Sequence, residues 1–145
     1  MFEKELSKIE INGIEYPYKC DMVVLEKIQK EYGDIVEFEQ AIMGVIPYYD
    51  ENGVRDNEKD QFTVPDVGKV CNSLIWMIEE GIEISEVDLE VPDVKFIMRQ
   101  EDLSINELAL LAFGEYGKCF LSKKSENKKM LSQKTDSGKK KPGKE

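Results

Sequence analysis

The side chains that most often carry catalysis are sparse in this chain of 145 residues, which contains no histidine. Acid–base and nucleophilic catalysis near neutral pH usually rely on a histidine, or on a serine or cysteine beside a base. The sequence also lacks a GxxxxGK[ST] phosphate loop and a GxGxxG turn. We therefore predict that the protein is not an enzyme and binds no cofactor. Carboxylate pairs among its 30 Asp and Glu residues stay open as the alternative.

The cysteines and the acidic segments do not predict a metal site. Cys20, Cys71 and Cys119 are far apart in sequence, which favours reduced, packed thiols over a disulfide framework. The segment DENGVRDNEKDQ superficially resembles a calcium-binding loop. Arg55, however, stands at the sixth position, where that loop needs glycine, and Gln61 at the twelfth, where it needs glutamate. A solvated turn is the better interpretation.

Charge is distributed very unevenly along the chain. Residues 123–145 carry nine lysines and three acidic residues, so of the total charge of −10 they account for +6 and leave −16 on residues 1–122. Such an acidic body disfavours nucleic acid and suits a partner with a basic or amphipathic face. The start lacks a signal-peptide pattern and the longest apolar run, Leu108 to Phe113, is too short to span a bilayer. We expect a cytoplasmic protein that does not bind membranes.

A β-hairpin is predicted near the start of the chain. Apolar residues alternate with polar ones on both sides of Asn12-Gly13, the preferred pair for a two-residue type I′ turn; they are Ile9, Ile11, Ile14, Tyr16 and Tyr18. Pro17 cannot donate a ladder hydrogen bond, so at least one side of the sheet is expected to be unpaired. We expect the hairpin to pack on helices through its apolar face, with strands from another copy or a partner as the alternative.

The sequence after the hairpin, up to residue 122, predicts several helices. Asp21 and Asp34 cap two helices that end at Gly33 and Gly44, and a central helix runs from Pro65 to Gly81. GIEISEVDLEVPD is either a strand or an extended connector. Pro92-Asp93 starts a short helix, and Ser104 with Glu107 forms a capping box for the last one. The predicted fold is α+β, mainly α: an N-terminal β-hairpin on a bundle of about five helices in a single domain, residues 1–122, followed by a disordered Lys-rich tail, residues 123–145.

A segment without helical periodicity, Val45 to Val64, is longer than compact domains usually leave irregular, so we expect a functional or mobile loop. Asn52-Gly53 could fold it back as a second hairpin. Aromatic residues on the first hairpin and at the entry to this loop either pack in the core or form an exposed contact patch. The candidate partner-binding residues are Ile14, Tyr16, Tyr18, Tyr48, Tyr49 and Trp76.

The order of these segments resembles a known family. INGIEYPYKCDMVVLEKIQKEYGDIVEFEQAIMG, a variable loop, PDVGKVCNSLIWMIEEGIEI, a short helix and SINELALLAFGEYGKCF follow one another as in the small tail assembly chaperones of long-tailed bacteriophages and prophages of Gram-positive bacteria. The similarity covers about residues 8–121 and consists of an Asn-Gly hairpin with a Tyr-Pro step followed by LEKIQKEYGD.

The resemblance implies a role but no catalytic residues. A protein of this family would bind the long, helical tape measure protein and prevent its aggregation while tail tube subunits polymerise around it, and would then leave the tail. A frameshifted, longer product that recruits the tube protein is common in the family. The resemblance thus implies the tape measure protein, and the tail tube protein after it, as partners in the cytoplasm of the host cell.

A different function remains open beside this one. The acidic body would also suit an inhibitor, such as an antitoxin or a nucleic-acid mimic, that occupies a basic site on an enzyme. Another non-enzymatic phage structural protein is a further alternative, and formation of a homo-oligomer stays open. Salt distinguishes the chaperone from the inhibitor, because binding by mimicry weakens steeply as ionic strength rises and binding through apolar contacts persists.

Overall fold

The predicted hairpin is the first element of the computed structural model, which describes residues 5–122. Strand β1, Ser7–Ile11, pairs antiparallel with β2, Ile14–Tyr18, so that Ile11 lies opposite Ile14. Both turn residues have a positive φ, 52° at Asn12 and 81° at Gly13, as a type I′ turn requires. The hairpin forms a two-stranded sheet of its own, as the sequence predicts.

Two short helices follow, each begun by an aspartate and ended by a glycine as predicted. Helix α1, Met22–Tyr32, begins where the Asp21 side chain accepts the N–H groups of Val23 and Val24. Helix α2, Ile35–Met43, begins with the same arrangement at Asp34. An N-cap of this type contributes about 1 kcal/mol by satisfying amides that have no partner inside the helix.

The long segment after α2 is ordered. Strand β3, Val45–Ile46, pairs antiparallel with β4, Gln61–Phe62, and a 3₁₀ turn, Asn57–Lys59, lies between them. A bridge between Tyr49 and Arg55 flanks the turn at Asn52-Gly53, so this part of the chain does fold back as the sequence allows. The pair β3–β4 is a separate sheet and does not extend the first hairpin.

The central helix is longer than predicted. Helix α3, Val67–Ser85, is capped by Asp66, with Pro65 just outside it, and ends at Glu86, which adopts a left-handed conformation. Gly81, predicted to end the helix, lies inside it at its contact with β2. A Cβ atom on Gly81 would lie 2.5 Å from the Pro17 carbonyl carbon and 2.8 Å from the Tyr18 nitrogen. Glycine is therefore required there for close packing rather than for chain reversal.

Two further helices complete the described part of the chain. Helix α4, Val94–Arg99, is capped by Asp93, and helix α5, Ile105–Gly117, begins at the predicted capping box. A 3₁₀ turn, Lys118–Phe120, follows. The segment GIEISEVDLEVPD is neither purely strand nor purely connector: its first residues continue α3 and the rest link α3 to α4 without pairing.

The core lies between the hairpin and the helices. Ile9, Ile11, Tyr16 and Tyr18 form the buried face of the hairpin and belong to one cluster with buried side chains of all the helices. The predicted packing of the hairpin on helices, and the α+β, mainly α fold, are confirmed. The predicted Lys-rich tail, residues 123–145, lies outside the described residues.

A buried carboxylate ties the two ends of this body together. Glu115 on α5, 4% exposed, accepts hydrogen bonds from the Ser7 hydroxyl at 2.6 Å and from the Cys20 N–H at 3.2 Å. Lys118 pairs with the same carboxylate at 3.3 Å. A buried charge is stable only when it is paired and hydrogen-bonded, and these contacts meet that requirement.

Candidate functional site

Exposed surfaces are the main candidate sites within residues 5–122. No group of three or more His, Cys, Asp or Glu side chains in this range is placed to hold a metal ion. None of the helices described there is long and apolar enough to cross a membrane. The candidate binding residues are therefore side chains that face solvent and contribute little to the core.

The candidate residues from the sequence separate into two groups. Tyr16 and Tyr18 are both 5% exposed and belong to the core, so as partner-binding residues they are corrected by the structure. They lie two residues apart on β2 and therefore point to the same, inner face of the hairpin. Trp76 is half-buried against the ring of Tyr32, and Ile14 is 40% exposed beside the hairpin turn.

Tyr48 and Tyr49 are exposed and lie on the segment 45–64, which we call the arm. The arm also exposes apolar residues that the sequence analysis did not single out. They are Ile46, Val54, Phe62 and Val64. Phe62 is 76% exposed, and a cluster of exposed apolar side chains on one segment is typical of a protein-binding surface. The length of the segment without helical periodicity was the available signal, but the sequence does not show which of its apolar residues are exposed.

Charged side chains hold the arm in one shape. The Arg55 guanidinium forms a two-pronged ion pair with Asp60, and Asp60 also accepts the Tyr48 N–H at 3.0 Å. The hydrogen bonds from Arg55 hold the pKa of Asp60 below its usual value. At the tip, Asp50 accepts the N–H groups of Asn52 and Val54, each at 2.8 Å. An exposed segment stabilised in this way presents its side chains at little entropic cost on binding.

Cations cover one face of each exposed tyrosine. The Lys59 ammonium lies 5.2 Å from the centroid of the Tyr48 ring, and the Arg55 guanidinium 6.0 Å from that of Tyr49. Both distances suit a cation–π contact. These contacts fix the orientation of two rings that carry both an apolar surface and a hydroxyl group.

The base of the arm is anchored to α2. The Thr63 N–H donates to the Gly44 carbonyl at 2.8 Å, and the Asp66 N–H donates to the Ala41 carbonyl at 2.9 Å. Gly44 has a φ of 69°, and a Cβ atom at this position would overlap the Thr63 carbonyl oxygen. Any larger residue at Gly44 would therefore displace the arm from α2.

The two edges of the first hairpin differ. In a two-residue hairpin the residues that flank the turn are hydrogen-bonded to each other, so Ile11 is bonded to Ile14. Along each strand away from the turn, the backbone groups of alternate residues then point toward the other strand, and those of the residues between them point away from it. On β2 that outer edge is covered by α3, where the Lys19 N–H donates to the Met77 carbonyl at 3.0 Å. On β1 the Asn12 N–H donates to the Asp102 carboxylate at 3.3 Å, and Lys8 and Glu10 before it are exposed.

Ionisable groups at the start of α1 are unusual. A hydrogen bond with Asp21, followed by burial, raises the pKa of Glu80 to about 7. Nearby, the Cys20 and Cys119 sulfurs lie 2.7 Å apart, and this contact lowers the pKa of Cys119 and raises that of Cys20. Of these two thiols Cys119 is the more accessible, because it is half-exposed and Cys20 is buried.

Comparison with known proteins identifies no matching family model, no similar curated protein and no similar solved structure.

Proposed function

We propose that this protein is a phage tail assembly chaperone that binds the tape measure protein and keeps it soluble in the host cytoplasm while the tail tube assembles. The observation that carries this proposal is the arm. It presents exposed Tyr48, Tyr49 and Phe62 from a fixed scaffold on a strongly acidic body. The resemblance of the sequence to tail assembly chaperones supplies the identity of the client.

The side chains of the arm suit reversible binding of an amphipathic helix. Tyrosine and phenylalanine bury a large apolar area with few rotatable bonds, which makes them frequent centres of binding energy. Many such contacts of modest strength along a long client give strong overall retention without tight binding at any one place. A chaperone that must later leave the tail needs that combination.

The acidic charge supports the same client. A body of −16 raises the encounter rate with cationic segments and repels other copies of itself. Apolar contacts of the arm would then supply the part of the affinity that resists salt. The tail tube protein is the second partner we propose, bound while the client is held.

The test is co-expression with the tape measure protein, with and without Tyr48→Ser/Tyr49→Ser. We expect the client to be soluble and to co-purify with the wild-type chain at moderate salt, and to aggregate with the variant. Leu110→Ser is the matched control, because Leu110 is an exposed apolar side chain on α5 outside the arm. A client that remains insoluble with the wild-type chain would refute the proposal.

The charge of the body favours one second candidate, an acidic inhibitor that occupies a basic site on an enzyme. The two functions differ in their response to salt. Inhibition by mimicry should fall steeply between low and high ionic strength and should not change with the Tyr48→Ser/Tyr49→Ser substitutions. Binding through the arm should change little with salt and should be lost with the Tyr48→Ser/Tyr49→Ser change.

A further inference from the structure

The open edge of β1 faces a groove that is separate from the arm. The groove has a volume of about 530 Å³ and is bordered on one side by the strand and on the other by α5 and the loop before it. Its lining consists of Lys8, Ile9, Glu10, Asp102, Leu103 and Leu111. We propose that this groove binds an extended, basic segment of a partner protein, which adds to the hairpin as a third strand beside β1.

The backbone of β1 specifies an extended partner. Ile9 and Ile11 direct their N–H and C=O groups toward β2, so those of Lys8 and Glu10 point into the groove. Within residues 5–122 no hydrogen-bond partner contacts these outward backbone groups, whereas the next outward N–H, at Asn12, donates to the Asp102 carboxylate. Another extended chain can satisfy such a row of alternating donors and acceptors in place of water, as in β-strand addition.

The shape of the groove favours a single segment over a second copy of this chain. A second copy would bring its own β2 and helices alongside its β1. Here α5 closes the far side of the groove through Leu111, and Asp102 blocks the end near the turn. One extended chain requires only the width of a strand, about 5 Å.

The side chains in the groove define the chemistry of the segment. Leu103 and Leu111 are half-buried and form an apolar floor that would accept one aliphatic side chain. Glu10 and Asp102 outnumber Lys8 among the charged groups, and the whole body carries a net negative charge. Opposite charges across paired strands stabilise the pair, so lysine or arginine should flank the aliphatic residue.

The inference does not depend on the proposed chaperone function, because the arm takes no part in it. The probe is a short acetylated and amidated peptide in which valine alternates with lysine. Its matched control has the same sequence with a methyl group on every backbone nitrogen. We expect the methylated peptide to bind at least about tenfold more weakly, since it cannot donate to β1.

Amide hydrogen exchange locates the site. The amides of Lys8 and Glu10 should exchange rapidly in the free protein and become protected with the peptide, while the amide of Ile9, already bonded to β2, should change little. Glu10→Pro removes one outward N–H and leaves the ladder intact, and Glu10→Gln removes only the charge. We expect the proline variant to lose at least about tenfold more affinity than the glutamine variant.

Three results would overturn the proposal. Equal binding of the methylated peptide would mean that the acidic surface adsorbs cations without strand pairing, and this result needs no variant to fold. Unchanged exchange at Lys8 and Glu10 would place the peptide elsewhere. A dimer of the wild-type chain that Glu10→Pro converts to a monomer in sedimentation would assign the edge to a second copy.

Discussion

The contact between Gly81 and β2 leads to a quantitative prediction. Gly81→Ala adds one methyl group at a point where it would lie 2.5 Å from the Pro17 carbonyl carbon and 2.8 Å from the Tyr18 nitrogen. Normal contacts need about 1 Å more, and neither backbone atom can rotate away. The Lys19 N–H also donates a hydrogen bond of 3.0 Å to the Met77 carbonyl oxygen, which holds β2 against α3. The strand must therefore move outward and loosen the core face of the hairpin.

Two opposing terms set the size of the effect. Alanine is favoured over glycine inside a helix by about 1 kcal/mol. Overpacking against a rigid backbone costs about 3 kcal/mol, the upper end of the usual range, because no side chain can rearrange to relieve it. The difference predicts a loss of about 2 kcal/mol in the free energy of unfolding, or roughly 8 °C in Tm for a domain of this size.

The same substitution in α5 provides the control. Gly114 is an exposed helical residue, and a Cβ atom there would meet nothing within 4 Å. Gly114→Ala should therefore gain up to about 1 kcal/mol from helix propensity alone. Urea unfolding followed by circular dichroism gives both values. If Gly81→Ala were as stable as Gly114→Ala, the close approach of β2 to α3 would be refuted.

Three further predictions concern single groups. The raised pKa of Glu80, about 7 against a normal value of 4.5, means that the folded state binds this proton more tightly than the unfolded state, so stability should fall as pH rises from 5 to 8. Glu80→Gln should remove this slope and be more stable than wild type by roughly 3 kcal/mol at pH 8, with no difference at pH 4; a parallel pH profile would contradict it. Asp60→Asn should speed amide exchange and proteolysis within residues 45–64 without changing the global Tm, because Asp60 holds the arm and not the core; a lower Tm would show that the arm supports the fold. Alkylation at pH 7.5 should modify Cys119 before Cys20 and Cys71, since Cys119 is half-exposed with a lowered pKa and the pKa of each of the other two is raised; mass spectrometry that finds Cys71 labelled first would refute this order.

Local patterns predicted most of the elements because their causes are local. The Asn12-Gly13 turn needs two residues that tolerate a positive φ, and the Ser104–Glu107 box forms within one turn of helix. The alternation around Asn12-Gly13 likewise identified the buried face of the hairpin. These features depend on neighbours within a few residues, so they can be predicted from the local sequence alone.

The errors arose where the cause is distant in sequence. Gly81 followed an apolar stripe and matched the pattern of a helix end, but its role depends on β2, more than sixty residues earlier. The arm was recognised as unusual because of its length. Its exposed Phe62 could not be predicted, because exposure depends on how Thr63 and Asp66 attach the arm to α2. Burial and docking of this kind require the three-dimensional arrangement.

The carboxylate of Glu115 also has a consequence for the kinetics of folding. Its partners Ser7 and Cys20 lie 108 and 95 residues earlier in the chain, so the hairpin reaches its final environment only after almost the whole described body has been synthesised. Contacts over such separations slow folding, because a large loop must close before they form. Until α5 arrives, the core also lacks Leu108, Ala112 and Tyr116, whose side chains are buried in the folded body. The last helix therefore completes the core, and an interruption of translation before it would leave an aggregation-prone intermediate.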